Sequence, residues 1–200
     1  IKMIWSAYKV YILRAKNKQV SIGDNVFLAR RFNIENSSRR NDHIISFGND
    51  CFLNCSIYFE KDSISTVLVG NNVYIGSGVS IYCTEKIHIG NNVTIAWDVV
   101  FYDHNSHPID FIKRRQVVKD FVGNYKSNST GHEADWTNVK SGSIVVGNDA
   151  WIGFGCIILK DTVIGDRSIV SAGSVVRGIF PSDVIIAGNP AKVVGEVEPK

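Results

Sequence analysis

The chain has 200 residues, 44% of them hydrophobic and 20% charged, with a formal net charge of +3. That composition describes one domain with enough apolar content for a core, and the charge is too mild and too dispersed for a phosphate-tracking surface, so nucleic acid is excluded as the expected partner. No apolar run approaches the roughly 20 residues of a bilayer-spanning helix and no secretory leader pattern stands out, so a cytoplasmic protein is the expectation, with further residues expected upstream because the chain starts at Ile1.

Residues 1–20 place Ile1, Ile4, Trp5, Tyr8, Tyr11 and Ile12 at helical spacing, with Lys2, Lys9 and Lys16 off that stripe. This predicts a helix that buries the stripe. The preferred reading is a cap on the open end of the repeats that begin at residue 21. The other is a basic amphipathic helix in peripheral contact with a membrane, at its inner face.

From residue 21 one phrase recurs: IGDNV at 22–26, FGNDC at 47–51, VGNNV at 69–73, IGNNV at 89–93, VGNDA at 146–150 and IGDRS at 164–168. Between phrases an apolar residue returns every six positions, as in Val69, Ile75, Ile81 and Ile87, and again in Val146, Ile152, Ile158, Ile164, Val170 and Val176. A hexapeptide period predicts a short strand and a turn per repeat, with the aliphatic inward and the Gly-Asn or Gly-Asp pair in turn conformations that tolerate little Cβ. Three repeats close one coil, and stacked coils bury each other's aliphatics in a parallel β-helix spanning 21–197. The small fifth position, Val26, Cys51, Val73, Val93, Ala150 and Ser168, belongs at the crowded inner corner. Cys51, Cys55, Cys83 and Cys156 lack paired CxxC spacing, so neither a zinc knuckle nor a disulfide framework is expected, and the thiols read as packing residues.

The repeat breaks at DHNSHPID, residues 103–110, and an insertion follows over 108–143, with Lys113, Arg114, Arg115, Lys119, Tyr125 and Trp136 and a polar GNYKSNSTGHEADW stretch, residues 123–136, with no periodicity. It is too long for a neutral connection. Of five histidines, His43 and His88 read as solvated and His132 sits inside the insertion. His104 and His107 lie where the column ends, with a fixed base and an open side as a general base requires. Asp103 and Asn105 flank them with short polar groups suited to orienting an imidazole. A metal site would want a third imidazole, so none is expected. GxSxG, GxxxxGK[ST] and GxGxxG are all missing from the sequence.

These motifs carry a resemblance. DHNSHPID is similar both to the D-x-[DN]-x-H pattern of capsule and O-antigen acetyltransferases and to the HPxD of maltose enzymes. With WIGFG at 151–155 and SAGSVVRGIFPSDVIIAGNPAKVV at 171–194, the chain resembles, over residues 20–197, the hexapeptide-repeat acyltransferases of the maltose, galactoside and polysaccharide O-acetyltransferase branch. The resemblance implies an all-β, left-handed parallel β-helix, although right-handed crossovers are the general rule. It implies transfer of acetyl from acetyl-CoA to a sugar hydroxyl of a surface polysaccharide, O-antigen or precursor, with no metal required. His107 falls on the family's catalytic base, whereas His104 has no counterpart in either motif and is expected either to support His107 or to bind the acceptor. The backbone N–H of Phe154, in the motif opened by Trp151, falls on the donor to the thioester oxygen. Coenzyme A contacts fall on Ala172, Arg177, Gly178 and Lys192, with Lys192 suited to nucleotide phosphates. The family's second basic residue falls on Gly195, and the sugar-gripping Asn and Asp of galactoside enzymes fall on Gly76 and Thr84, so the acceptor is expected to differ from a galactoside. The family's active sites lie between the subunits of a homotrimer, and the insertion is expected to roof the acceptor, with Trp136 and Tyr125 available to stack on sugar rings. The competing expectations are an antibiotic O-acetyltransferase, a γ-type carbonic anhydrase and a non-catalytic scaffold.

Overall fold

Each hexapeptide forms a strand of only a few residues, which depends on the coils above and below for its hydrogen bonds. A computed structural model describes residues 6–11, 13, 19–38, 40, 42–61, 63–126 and 136–198. One face stacks β1 (Val20–Ile22), β4 (Ile44–Phe47), β6 (Thr66–Val69), β8 (Lys86–Ile89), β11 (Ile144–Val146), β14 (Thr162–Ile164) and β17 (Ile179–Phe180), all parallel. A second stacks β2 (Phe27–Leu28), the starts of β5 (Phe52–Phe59) and β7 (Tyr74–Tyr82), then β9 (Thr94–Ile95), β12 (Trp151–Ile152), β15 (Ile169–Val170) and β18 (Val184–Gly188). The third stacks β3 (Asn33–Asn36), the ends of β5 and β7, β10 (Val100–Tyr102), β13 (Ile157–Leu159) and β16 (Val175–Val176). β19 (Ala191–Glu196) folds back antiparallel on β18. The fold is a left-handed parallel β-helix.

Parallel register sets like over like. Ile22, Phe47, Val69, Ile89, Val146, Ile164 and Phe180 form one inward column, and every member is buried. The hexapeptide aliphatics Ile75, Ile81, Ile87, Ile152, Ile158, Val170 and Val176 are buried as well. At the fifth position Cys51, Val73, Val93, Ala150 and Ser168 are buried, and Val26 is half-buried. All four cysteines are buried free thiols, and burial pushes Cys55 up to about 12.

At the corner the phrase divides its work differently from the sequence expectation. The left-handed conformation falls on the fourth position, Asn25, Asp50, Asn72, Asn92, Asp149 and Arg167, with φ between 54° and 58°. The glycine is there for close approach: a Cβ on Gly70 would lie 2.6 Å from Asn91 Oδ1 and 2.7 Å from the carbonyl carbon of Gly90. The third position builds a ladder. Asn49 Oδ1 accepts the Asp24 N–H at 2.8 Å, Asn71 that of Asn49 at 2.8 Å, and Asn91 that of Asn71 at 2.8 Å. Asn148 continues it to Asn91 at 2.9 Å and Asp166 to Asn148 at 2.7 Å.

Residues 6–11 are helical and dock on the first coil, but with a different face inward. Ser6 is buried and its Oγ accepts the Leu28 N–H at 2.9 Å, while Val10 and Leu13 pack against the core. Lys9, expected to face away, donates to the carbonyls of Ala29, Arg30 and Phe32, each at 2.9 Å. Tyr8 and Tyr11, expected inside, are exposed. The end of the column presents open carbonyls, and an ammonium satisfies them where an aromatic ring cannot. The remaining stripe positions, Ile1, Ile4, Trp5 and Ile12, and Lys2 and Lys16, lie outside the described residues. Among the described residues no helix is long and apolar enough to cross a membrane.

The insertion holds a helix, Phe111–Lys126, which the sequence reading did not anticipate. Asp110 caps it, its Oδ1 accepting the Ile112 N–H at 2.8 Å. None of its residues is buried; Phe111, Val118, Phe121, Val122 and Tyr125 recur at helical spacing, but that stripe stands exposed. Urea unfolding should separate two glycines: Gly70→Ala should lose about 2 kcal/mol or more through overpacking. Gly123→Ala, in the helix with nothing within 4 Å of its added Cβ, should be neutral or gain up to about 1 kcal/mol.

Candidate active site

The insertion leaves the column after β10 and returns at β11, and the two ends zip together. Gly142 N–H donates to Asp103 O at 2.8 Å, Asn105 N–H to Lys140 O at 3.0 Å, and His104 pairs with Ser141 in an antiparallel bridge. Asp103 ties this junction to the coil below. Its carboxylate accepts the Thr84 N–H at 2.8 Å, the Thr84 hydroxyl at 2.9 Å and the Glu85 N–H at 2.8 Å. The group is fully buried; burial pushes its pKa up, and the donors from Glu85 and Thr84 pull against that rise. Asp103 therefore does not orient an imidazole, as the sequence suggested; its acceptor capacity is taken by the neighbouring coil. Among the described residues Asn105 bonds only through its backbone: its carbonyl accepts the His107 N–H at 2.6 Å.

The two histidines have opposite surroundings. His104 is sealed, its side chain wholly buried, with Tyr102 at 4.4 Å and the edge of Trp136 at 5.2 Å between ring centroids. Its Nδ1 accepts the Ser106 N–H at 3.0 Å, which leaves the neutral-form proton on Nε2. Nε2 faces the Glu60 carboxylate at 3.4 Å without completing a hydrogen bond. Burial, then the charge of Lys61, lowers the His104 pKa to about 4. His107 is exposed, and its ring makes no hydrogen bond among the described residues. Its backbone is fixed between Ser106, at φ 58°, and the buried Pro108. The Tyr102 hydroxyl bonds the Ser106 hydroxyl and holds the loop to β10.

Trp136 thus reaches His104. Tyr125, expected beside it, stands 73% exposed near the end of the helix with no ring contact among the described residues. His43, expected in solvent, is buried and stacked on Phe59 at 4.2 Å, with Ser38 Oγ 2.8 Å from its Nε2. The ring fills a corner that a loop alone would leave open. His88 sits half-buried on the outer side of β8, and His132 lies outside the described residues.

On the outer faces, Trp151 opens β12 and is half exposed. Phe154, in the following turn, stacks on Trp97 at 5.1 Å, and its carbonyl accepts the Gly173 N–H at 2.9 Å. Its own N–H carries no hydrogen bond among the described residues. Ala172 and Lys192 are exposed, Gly178 has φ 125°, and Arg177 pairs with Asp161 at 3.2 Å.

Residues 143–178 match the family described as bacterial transferase hexapeptide (six repeats). The chain is 30% identical over 156 residues to dTDP-4-amino-4,6-dideoxy-D-glucose acyltransferase of Escherichia coli, an alignment covering 64% of this chain and 81% of that protein. It belongs to the hexapeptide-repeat acyltransferases. It is also 29% identical over 155 residues to WbbJ of Escherichia coli (strain K12), whose name places it among O-acetyl transferases of lipopolysaccharide biosynthesis, covering 78% of this chain and 73% of WbbJ. Across four such relatives the chain spans 62% to 81% of their length. In fold it is similar to AntD, an N-acyltransferase from Bacillus cereus solved with dTDP and coenzyme A, with a TM-score of 0.70 at 18% identity over 95% of this chain and 89% of AntD.

Sequence reasoning about this acyltransferase missed Glu60 and Ser141, and it named Thr84 only as a departure from the galactoside pattern, not as the partner of Asp103; all three reach the site only through coil stacking and the return of the insertion. Their signal was positional: each lies at the corner where the column is interrupted. Between about 4 and 6.5 the unfolded chain binds a proton at His104 that the folded chain does not. Acidification through that window therefore weakens the fold, by at most about 1.4 kcal/mol per pH unit from this residue. The unfolding free energy measured between pH 7 and 5 should fall more steeply for wild type than for His104→Gln.

Proposed function

We propose that this chain transfers acetyl from acetyl-CoA to a sugar hydroxyl of a surface polysaccharide, O-antigen or precursor in the cytoplasm, by direct attack assisted by His107. The observation that carries the reading is the His107 ring, exposed and without a hydrogen bond among the described residues, on a backbone held from both sides. A base must reach its proton and keep its direction, and of the two loop histidines only His107 has an open side. His104, neutral and enclosed, sets the loop in place. A sugar hydroxyl loses its proton to His107 as it attacks the thioester carbonyl, and the oxygen of that carbonyl gains charge. The Phe154 N–H, unbonded among the described residues, is the donor for it, a contribution of about 3 kcal/mol. As the tetrahedral intermediate collapses, the C–S bond breaks and the proton on His107 passes to the departing coenzyme A thiolate, leaving the acetyl ester and the free thiol; no acyl-enzyme is formed, so the kinetics are sequential.

Coenzyme A lies along Trp151, Ala172, Arg177, Gly178 and Lys192 in this proposal, and Trp136 borders the acceptor. The working unit is a homotrimer with sites between subunits. Its support is the exposure of Tyr74, Trp97, Trp151 and Phe154 on the outer faces of the column, aromatic surface of the kind that interfaces cover. Sedimentation equilibrium reads this directly.

Thiol release from acetyl-CoA across free sugars, amino sugars, nucleotide sugars and lipid-linked oligosaccharides tests the chemistry. Wild type should release thiol in an acceptor-dependent way, and His107→Ala should lose about 10²- to 10⁴-fold in kcat with its thermal unfolding unchanged. An acceptor-independent signal throughout, or full activity in His107→Ala, sinks the proposal.

A further inference from the structure

A cavity of about 410 Å³ opens at the interrupted corner. Asn105 comes from the His107 loop, Lys140 and Ser141 from the returning insertion, and Lys160, Asp161 and Arg177 from the next two coils. Three cations and one carboxylate face this space. Lys160 is only 7% exposed, and a lysine is seldom buried unless its charge is matched. Its Nζ lies 2.7 Å from Asp161 Oδ2, and the same oxygen takes the Arg177 guanidinium at 3.2 Å. One carboxylate thus serves two cations, and their donors hold its pKa down. Lys140 makes no ion pair among the described residues, and the Asn105 side chain makes no hydrogen bond among them.

The wall is therefore short of negative charge by two units and holds unused donors from an ammonium, a guanidinium and an amide. Such donors bind oxyanions through short, charge-assisted hydrogen bonds. A purely structural pair would need Lys160 and Asp161 alone. We infer that this cavity is an oxyanion subsite, taking a phosphate, pyrophosphate or carboxylate group carried by a substrate beside the His107 loop. That a substrate carries the anion rests on the acetyl-transfer reading; the affinity of the cavity for the anion does not. Two sources share this chemistry, the acceptor and the nucleotide portion of the donor.

Calorimetric titration of inorganic pyrophosphate into the whole chain tests the site without any turnover. Wild type and Lys86→Ala, altered outside the cavity, should bind it alike, whereas Lys140→Ala and Lys160→Met should bind it about tenfold or more weakly, as one lost charge-assisted bond requires. Lys140 is exposed, so its variant carries the test even if Lys160→Met fails to fold. Glucuronate and coenzyme A, titrated separately, name the source: a loss in Lys140→Ala confined to glucuronate assigns the anion to the acceptor, and one confined to coenzyme A assigns it to the donor. Equal pyrophosphate binding by wild type and Lys140→Ala, or none to wild type at millimolar concentration, overturns the inference. Weakened pyrophosphate binding in Lys140→Ala together with no acetyl transfer by wild type would remove the functional proposal and leave the subsite standing.

Discussion

The side-chain oxygen of each corner Asn or Asp accepts the backbone N–H of the corner one coil before it, and this ladder runs from Asp24 through Asn49, Asn71, Asn91 and Asn148 to Asp166. It forms only if successive corners nearly touch, which the missing Cβ of the phrase glycine permits. Corner contact then fixes the register of the strands on either side. Because the side-chain period of a strand is two, a slip of one residue would turn every aliphatic outward. The inward columns and the position of the interrupted corner both derive from that lock.

The ladder also bears on the site. With its neighbours held in register, the interrupted corner finds Thr84 and Glu85 on one side and Lys160, Asp161 and Arg177 on the other. Asp103 uses the first pair to anchor the junction. The cavity wall uses the second group. The insertion thus needs no scaffold of its own, since both of its ends are pinned to a column whose geometry was set elsewhere.

Much of this was readable before folding, because the fold repeats. Period six names the inward residues, and the fifth position names the corner fillers. Interactions that cross coils were harder to read: Asp103 and Thr84 are 19 residues apart, a separation that depends on how many residues each corner inserts. The phase of the N-terminal helix failed for a related reason. Its sequence stripe favours Tyr8 and Tyr11, but the surface it meets offers carbonyls, and Lys9 answers them. The helix Phe111–Lys126 left two marks in the sequence, Asp110 at its start and Phe111, Val118, Phe121, Val122 and Tyr125 at helical spacing, and the second was overlooked because it is short and no core contact among the described residues covers it.

The distinction between the histidines shows how little chain separation it takes to divide two chemistries. His104 is the last residue that the stacked coils can enclose: Tyr102 lies against one side of its ring, Trp136 meets it edge-on, and Glu60 stands beyond. Enclosure lowers its pKa and keeps it neutral, and its Nδ1 is spent on Ser106. That hydrogen bond bends the chain outward, Ser106 takes the left-handed conformation, and His107 emerges on the open side with Pro108 stiffening the backbone after it. The buried imidazole shapes the turn, and the turn presents the exposed one.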